Sequence, residues 1–314
     1  MGTPIVLFSA TGGLDTLSMP DALGYDAEKG VVSLQKAVNV DVESGGRVIS
    51  SRRSVELAQS GSFHSGFSYK GVVLCVKELG ESASLFKVNS DYSLTGLRSG
   101  LVPGLRMGYC GVNDQIYYGN SINKGIVEGG VSLAWELPAE VVSHYSDTDV
   151  SGPPDCVHMA VMGGYMLAAE GNVLWVSQEF AFNQFELMGR FVDFVDRIVL
   201  VKAVEGGVWI GTRNELVFLD GSNPREWEVR KRVAYGVKEF CCTEMNVPAS
   251  LMRLDLQFGL SGEGYVLLTE KGICWIGSNG QFRNLTEGKI APEDFTGIRG
   301  AALKINERVV LTTE

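Results

Sequence analysis

The feature of this chain that most constrains its fold is a set of short apolar runs that recurs in the same order along the sequence. Each run is rich in Val, Ile, Leu or aromatic residues and is bounded by Gly, Asn, Asp or Ser, a pattern typical of β-strands. The runs occupy 72–76, 85–88, 115–118, 165–168, 173–176, 208–210, 216–219, 266–268 and 273–276. No comparable helical periodicity is present, so the chain is predicted to be all-β.

The runs are organised into repeated units that begin near Gly71, Asn113, Gly163, Gly206 and Gly264. Each unit reads as an apolar strand, a tight polar turn, a second apolar strand, a small-residue loop and a third strand. The spacing of the units is roughly 40 to 60 residues, close to the ~40 to 50 residues of a four-stranded propeller blade. The order of elements therefore predicts a β-propeller.

Material left over at both ends leads us to expect six blades, closed by strands from both termini. The chain stops after NERVVLTTE, which resembles the opening of a further unit, and 38–42 and 47–49 supply candidate N-terminal strands. We therefore predict one domain over 1–314, in which 1–60 forms an extended segment and closing strands. Closure of this kind hides the edges that an open sheet exposes. The alternative is a pair of β-sandwiches whose hairpins merely look alike.

The composition of the chain argues against several classes of function. The formal charge is −10, and no strongly basic stretch offsets it, so direct nucleic-acid binding is not expected. The N-terminus lacks the basic region of a signal peptide, and no apolar run approaches 18 residues, so no membrane segment is expected. Most of the six cysteines lie in apolar runs, which predicts reduced core residues.

Catalysis and cofactors are not expected. His64, His144 and His158 lie far apart and lack second ligands at metal-binding spacing. A propeller glycosidase would need two facing carboxylates, for which the sequence offers Asp193, Asp196, Glu205 and Glu263. The tryptophans, at 135, 175, 209, 227 and 275, could stack on sugars, but their recurrence on strands favours packing between blades.

The N-terminal segment from Gly12 resembles the opening of tailed-bacteriophage β-propeller virion proteins. It contains Gly-Leu-Asp at 13–15, Ala-Val-Asn-Val-Asp at 37–41 and an arginine-rich strand from Gly46, although Val55 replaces the usual closing glycine. The middle of the chain is similar to the same proteins through Leu-Trp-Val-Ser at 174–177 and the Gly-Thr…Asn-Pro phrase at 211–224.

The resemblance implies a non-enzymatic virion component of the tail, nozzle, hub or fibre-attachment apparatus. Such a protein would be made in the host cytoplasm, would act as a rigid adaptor, and would contact other phage structural proteins and copies of itself. The alternative is a propeller glycosidase or carbohydrate-binding module acting on a surface glycan.

Arg47, Arg52 and Arg53 stand out from the acidic background beside the expected closing strands. Arginine pairs well with carboxylates of a neighbouring subunit, so these residues are predicted to contact another chain. The alternative is an ordinary solvated strand. The arginines at 230 and 232 are a similar, weaker candidate.

Overall fold

A computed structural model describes residues 61–139, 150–186, 190–245, 263–305 and 308–313, together with the backbone of short N-terminal strands at 11–14, 25–26, 31–34, 40–42 and 48–50. The N-terminal strands form two small sheets. One has the order β1–β3–β2, with β1 (Thr11–Leu14), β2 (Tyr25–Asp26) and β3 (Val31–Leu34). The other is the antiparallel pair β4 (Val40–Val42) and β5 (Val48–Ser50).

The described residues after the N-terminal strands form five consecutive antiparallel sheets, the blades of a β-propeller. Blade 1 contains β6 (Phe63–Tyr69), β7 (Val72–Glu78), β8 (Ala83–Val88) and β9 (Leu94–Leu101). Blade 2 contains β10 (Gly108–Val112), β11 (Gln115–Gly119), β12 (Lys124–Glu128) and β13 (Val131–Leu133). Blade 3 contains β14 (Val150–Ser151), β15 (His158–Met162), β16 (Tyr165–Glu170), β17 (Val173–Gln178), β18 (Ala181–Glu186) and β19 (Phe191–Asp193).

Blade 4 contains β20 (Ile198–Val204), β21 (Gly207–Thr212), β22 (Leu216–Asp220) and β23 (Glu228–Val233). Blade 5 contains β24 (Val237–Glu244), β25 (Gly264–Thr269), β26 (Gly272–Gly277) and β27 (Phe282–Asn284). A final hairpin follows, formed by β28 (Gly300–Ile305) and β29 (Arg308–Thr313). Short 3₁₀ turns at Pro224–Glu226, Ser278–Gly280 and Pro292–Asp294 decorate the loops.

Each apolar run of the sequence lies inside a strand, and each repeated unit begins at or beside the turn after the innermost strand of a blade. The middle strands are apolar throughout because both of their faces are covered. On β21, Val208 and Ile210 pack toward blade 3, whereas Trp209 packs toward blade 5. The prediction of an all-β propeller is therefore confirmed.

Apolar clusters fill the interfaces between successive units. Separate clusters join blades 1 and 2, blades 2 and 3, blades 3 and 4, and blades 4 and 5. A smaller cluster of Val266 and Trp275 receives Val309 and Leu311 of the final hairpin. The hairpin thus stacks on blade 5 in the way that one blade stacks on the next.

The prediction of six blades is wrong: the described residues form five blades. The final hairpin contributes two strands only, and β4 and β5 pair with each other as a separate two-stranded sheet. The sequence predicts one opening strand at the C-terminus; β29 lies there and pairs with β28, but among the described residues this pair does not become a four-stranded blade. The opposite face of the hairpin leaves Leu303 56% and Val310 46% exposed.

Candidate functional site

The inner strands of the blades converge on an axial cavity of about 540 Å³. Its wall combines residues of β6, β10, β15, β20 and β24 with Ala302, Leu303 and Lys304 of the final hairpin. A second cavity of about 200 Å³ adjoins it and shares Gly66, Tyr109, Met159 and Lys202 with it. Because every blade contributes to the wall, residues from distant parts of the sequence meet in this channel.

Lys202, near the middle of β20, carries a charge into the axial cavity. Its Nζ atom lies 5.3 Å from the centre of the Tyr265 ring, a cation–π contact. Two other charged residues, Glu244 and Lys304, line the same cavity. Within the described part of the chain, no carboxylate lies at ion-pair distance from Lys202.

A charged group that we call the channel mouth lies where the inner strands begin. His158 at the start of β15 shares a 2.9 Å hydrogen bond between its Nε2 atom and Glu239 Oε1 of β24. Arg197, just before β20, places Nη2 3.5 Å from the same carboxylate oxygen. The His158 and Glu239 side chains are only 12% and 14% exposed. The channel mouth therefore ties together blades 3, 4 and 5.

The protonation of the channel mouth follows from its burial. Burial lowers the pKa of His158, and the hydrogen bond and charge of Glu239 offset this only in part. Burial acts to raise the pKa of Glu239, but His158, Arg197 and Arg213 outweigh it, so that pKa lies below its ordinary value. Near neutral pH the imidazole is neutral. Because the carboxylate can only accept, His158 Nε2 donates to Glu239.

A second histidine network, around His64, holds residues 102–107, the connector between blades 1 and 2, against blade 1. His64 Nε2 lies 2.8 Å from Glu78 Oε1, and His64 Nδ1 lies 2.7 Å from Ser65 Oγ. The two outer members of this hydrogen-bond network each accept a backbone hydrogen bond. Gly104 N donates to Glu78 Oε1, and Met107 N donates to Ser65 Oγ. The network therefore holds the segment between blades 1 and 2, which is a structural task.

The candidate glycosidase carboxylates lie beside different strands, and one pair of them is too far apart to act together. Asp196 and Glu205 flank opposite ends of β20, so they stand roughly 30 Å apart at ordinary strand rise. Glycosidase pairs need about 5 to 9.5 Å. Asp193 ends β19, which pairs with β17 in blade 3, and Glu263 is exposed before β25 in blade 5.

The burial of three of the five tryptophans supports a packing role for them. Trp135, Trp209 and Trp275 are buried, which confirms the structural interpretation for them. The expectation that the tryptophans recur at equivalent strands of the blades is only partly correct. Trp175 and Trp275 lie on the third strands of their blades, whereas Trp209 lies on a second strand.

The cysteines behave as core residues for the most part. All six are free, and Cys110, Cys156, Cys241 and Cys274 are buried. Adjacent cysteines on β24 point in different directions, as expected for a strand: Cys241 Sγ donates to Thr312 O of the hairpin, whereas Cys242 lines the channel.

Arg47, Arg52 and Arg53, the predicted inter-subunit contact, have side chains that lie outside the described residues. The weaker candidates, Arg230 and Arg232, form ion pairs within blade 4. Arg230 pairs with Asp220 at 3.2 Å and Arg232 pairs with Glu215 at 2.9 Å, both on the outer strand β23. Charged side chains on such an edge discourage pairing with other sheets.

The described residues contain no group of three His, Cys, Asp or Glu side chains that could hold a metal ion. Over the same residues, no helix has the length and apolar character needed to cross a membrane.

The channel mouth is the functional feature that sequence reasoning missed. His158 and Glu239 are 81 residues apart, so no local pattern joins them. The available signal was positional: His64 and His158 both lie a few residues before the glycine that opens a repeated unit. In a propeller, equivalent positions of inner strands face the same end of the axis.

No family model matches the chain, and no curated protein matches it. Among solved structures, it is similar to BBS1N in a complex with ARL6DN (TM-score 0.47, 7% identity, 85% of this chain and 81% of that chain). It is similar to the Cps50 (Swd1) β-propeller domain of Myceliophteria thermophila (TM-score 0.44, 11% identity, 85% and 79% covered).

The chain is also similar to the extracellular domain of the two-component system BT4673 from B. thetaiotaomicron (TM-score 0.45, 16% identity, 74% of this chain). It spans 29% of the length of that domain. These similarities concern the fold and carry no argument about function.

Proposed function

We propose that the protein is a non-enzymatic structural component of a tailed-phage virion, in the tail or tail-attachment apparatus, where it acts as a rigid adaptor between proteins. The observation that carries the proposal is the ordered resemblance of two separate segments to phage propeller proteins, in a chain that folds as a propeller. The separation of Asp196 and Glu205 adds support, because that pair is too far apart for the glycosidase alternative.

The packing of the blades suits an adaptor. Large side chains are buried at or near zero exposure: Trp135 and Trp209 lie between blades, and Trp275 lies between blade 5 and the final hairpin. Close packing of this kind resists deformation, so loops at the two ends of the axis keep fixed relative positions. A disc with fixed loops can hold two partners at a defined distance.

We further propose that residues 1–60 close the ring against the final hairpin. Leu303 and Val310 are opposite each other in the hairpin and form an exposed apolar pair on the face turned away from blade 5. The twelve residues between β5 and β6 can span up to roughly 40 Å, which is long enough to bring β4 and β5 to this face. This arrangement would place Arg47, Arg52 and Arg53 at the rim.

The closure is tested by comparing Val310→Asp with Val195→Asp in the isolated full-length protein. If residues 1–60 cover the hairpin face, Val310→Asp should lower the free energy of unfolding by about 2 kcal/mol or more. Val195 is 98% exposed, so its substitution should have little effect. Equal, small effects in urea unfolding would mean that this face is uncovered in the isolated chain.

The virion role is tested by mass spectrometry of purified particles, in which the protein should be present in stoichiometric amount. Absence from particles would contradict the proposal and favour action on a surface glycan. Arg52→Ser with Arg53→Ser should block incorporation while the isolated protein folds normally. The matched control is Arg230→Ser with Arg232→Ser, because those arginines are paired within blade 4. Normal incorporation of the first variant would remove the assigned contact.

A further inference from the structure

Lys202 is an uncompensated positive charge inside the propeller. Its side chain is partly buried, and its only recorded polar contact is with the face of the Tyr265 ring at 5.3 Å. Ammonium groups withdrawn from water are normally paired with an acceptor or an opposite charge. Among the described residues of this acidic chain, Lys202 has neither.

The groups around Lys202 cannot supply the missing negative charge by ionising. Burial raises the pKa of Cys242 to about 11 and the pKa of Cys110 to about 11, and nearby Lys202 lowers each only in part. Burial also raises the pKa of Tyr265 well above its ordinary value. At neutral pH both thiols and the phenol are uncharged. None of these three groups therefore supplies a negative charge to pair with Lys202.

The other charged residues at the channel do not neutralise Lys202 either. Glu244 is opposite Tyr265 in the sheet and lines the same cavity, but it is exposed and forms no ion pair with Lys202. Lys304 adds a second positive charge to the wall. At the adjoining cavity, Glu239 is already engaged by His158 and Arg197, and Arg106 adds a further cation.

The walls around Lys202 determine what kind of anion fits. Met159, Ala160, Ala203 and Tyr265 give the cavity apolar and aromatic surface. A phosphate group usually receives several convergent donors, from backbone amides or arginines, whereas the cationic side chains of this wall are two lysines, Lys202 and Lys304. An amphipathic carboxylate matches a wall on which the Lys202 ammonium lies beside both polar and apolar surface. The volume of about 540 Å³ is that of a small-molecule pocket.

We propose that the axial cavity is a binding site for a small amphipathic carboxylate, with Lys202 holding the carboxylate and Tyr265 and Met159 contacting the apolar body. The site does not depend on the virion role, since it rests on the channel alone. The ligand would lie on the propeller axis and would contact inner strands of several blades at once. Its binding would therefore stabilise the folded protein.

The test uses octanoate as the probe, with octanol as its uncharged counterpart and inorganic phosphate as the competing anion. Binding is followed through the methyl resonance of Met159 and by calorimetry of the full-length protein. Octanoate should bind, octanol should bind at least about tenfold more weakly, and phosphate should not compete. The comparison of octanoate with octanol needs no variant, so it stands even if a substitution at Lys202 prevents folding.

Variants at position 202 test whether the positive charge of Lys202 binds the octanoate carboxylate. Lys202→Met should weaken octanoate binding at least about tenfold, and Lys202→Arg should retain it. Lys271→Met is the matched control, because Lys271 makes a cation–π contact of 4.8 Å with Tyr235 and does not line the cavity. The proposal is overturned if the wild type does not bind octanoate, if octanol binds equally well, if phosphate displaces octanoate, or if Lys202→Met binds as the wild type does.

Discussion

Replacing Trp209 with Phe should measurably weaken the join between blades 4 and 5. Trp209 lies on β21, is fully buried, and donates a 2.9 Å hydrogen bond from Nε1 to Gly277 O of β26. The substitution removes roughly 40 Å³ of side chain, worth about 1 kcal/mol at the known dependence on cavity volume. It also removes a buried hydrogen bond, which costs about 1 to 3 kcal/mol.

The free energy of unfolding should therefore fall by about 2 to 4 kcal/mol, and the melting temperature by several degrees. Circular dichroism during urea and thermal unfolding measures both. Trp227→Phe is the control: Trp227 is only partly buried, and its indole donates to Gly221 O within its own blade. If Trp209→Phe costs no more than Trp227→Phe, the indole does not join the two blades energetically.

Three further outcomes follow from the contacts. Because the folded-state pKa of His158 is lowered, the unfolded chain takes up this proton first, so stability should fall as pH drops below about 6.5. Gly111→Ala should destabilise by about 1 to 3 kcal/mol in urea unfolding, since its Cβ would meet the Tyr69 ring at 2.4 Å. Glu78→Ala should speed amide hydrogen exchange over residues 102–107, which its carboxylate helps to hold.

Each of these outcomes has a control. His158→Asn should flatten the pH dependence of stability, and an unchanged slope would assign it to other groups. Gly66→Ala should be tolerated better than the Gly111 variant, because nothing lies within 4 Å of its added Cβ. Glu81→Ala, an exposed substitution nearby, should leave exchange over 102–107 unaltered. If it has the same effect as Glu78→Ala, the hydrogen bond to Gly104 is not what protects the connector.

The strands could be predicted from sequence because the apolar pattern that marks a strand lies in consecutive residues. A middle strand of a blade is covered on both faces, so β22 reads as an unbroken apolar run in which Val217 and Leu219 face blade 3 while Leu216 and Phe218 face blade 5. Such runs, separated by turn residues, are visible without knowledge of the partners.

The number of blades and the channel mouth depend on contacts that are distant in sequence. Whether β28 and β29 gain further strands depends on distant parts of the chain, and under the proposed closure those parts are β4 and β5. In the same way, Glu239 reaches His158 only because blades 3 and 5 meet at the axis. No spacing rule along the chain encodes either contact.

The final hairpin links the architecture to the proposed role. A two-stranded hairpin is marginal on its own. This one is held to blade 5 by one apolar face and by the hydrogen bond from Cys241 Sγ to Thr312 O, and to the segment between blades 1 and 2 by the hydrogen bond from Arg106 to Gly300 O. Among the described residues no apolar cluster joins it to blade 1, and we propose that its other face is covered by residues 1–60 and not by another protein. The substitution at Val310 distinguishes these cases, because cover by another protein would leave the isolated chain insensitive to it.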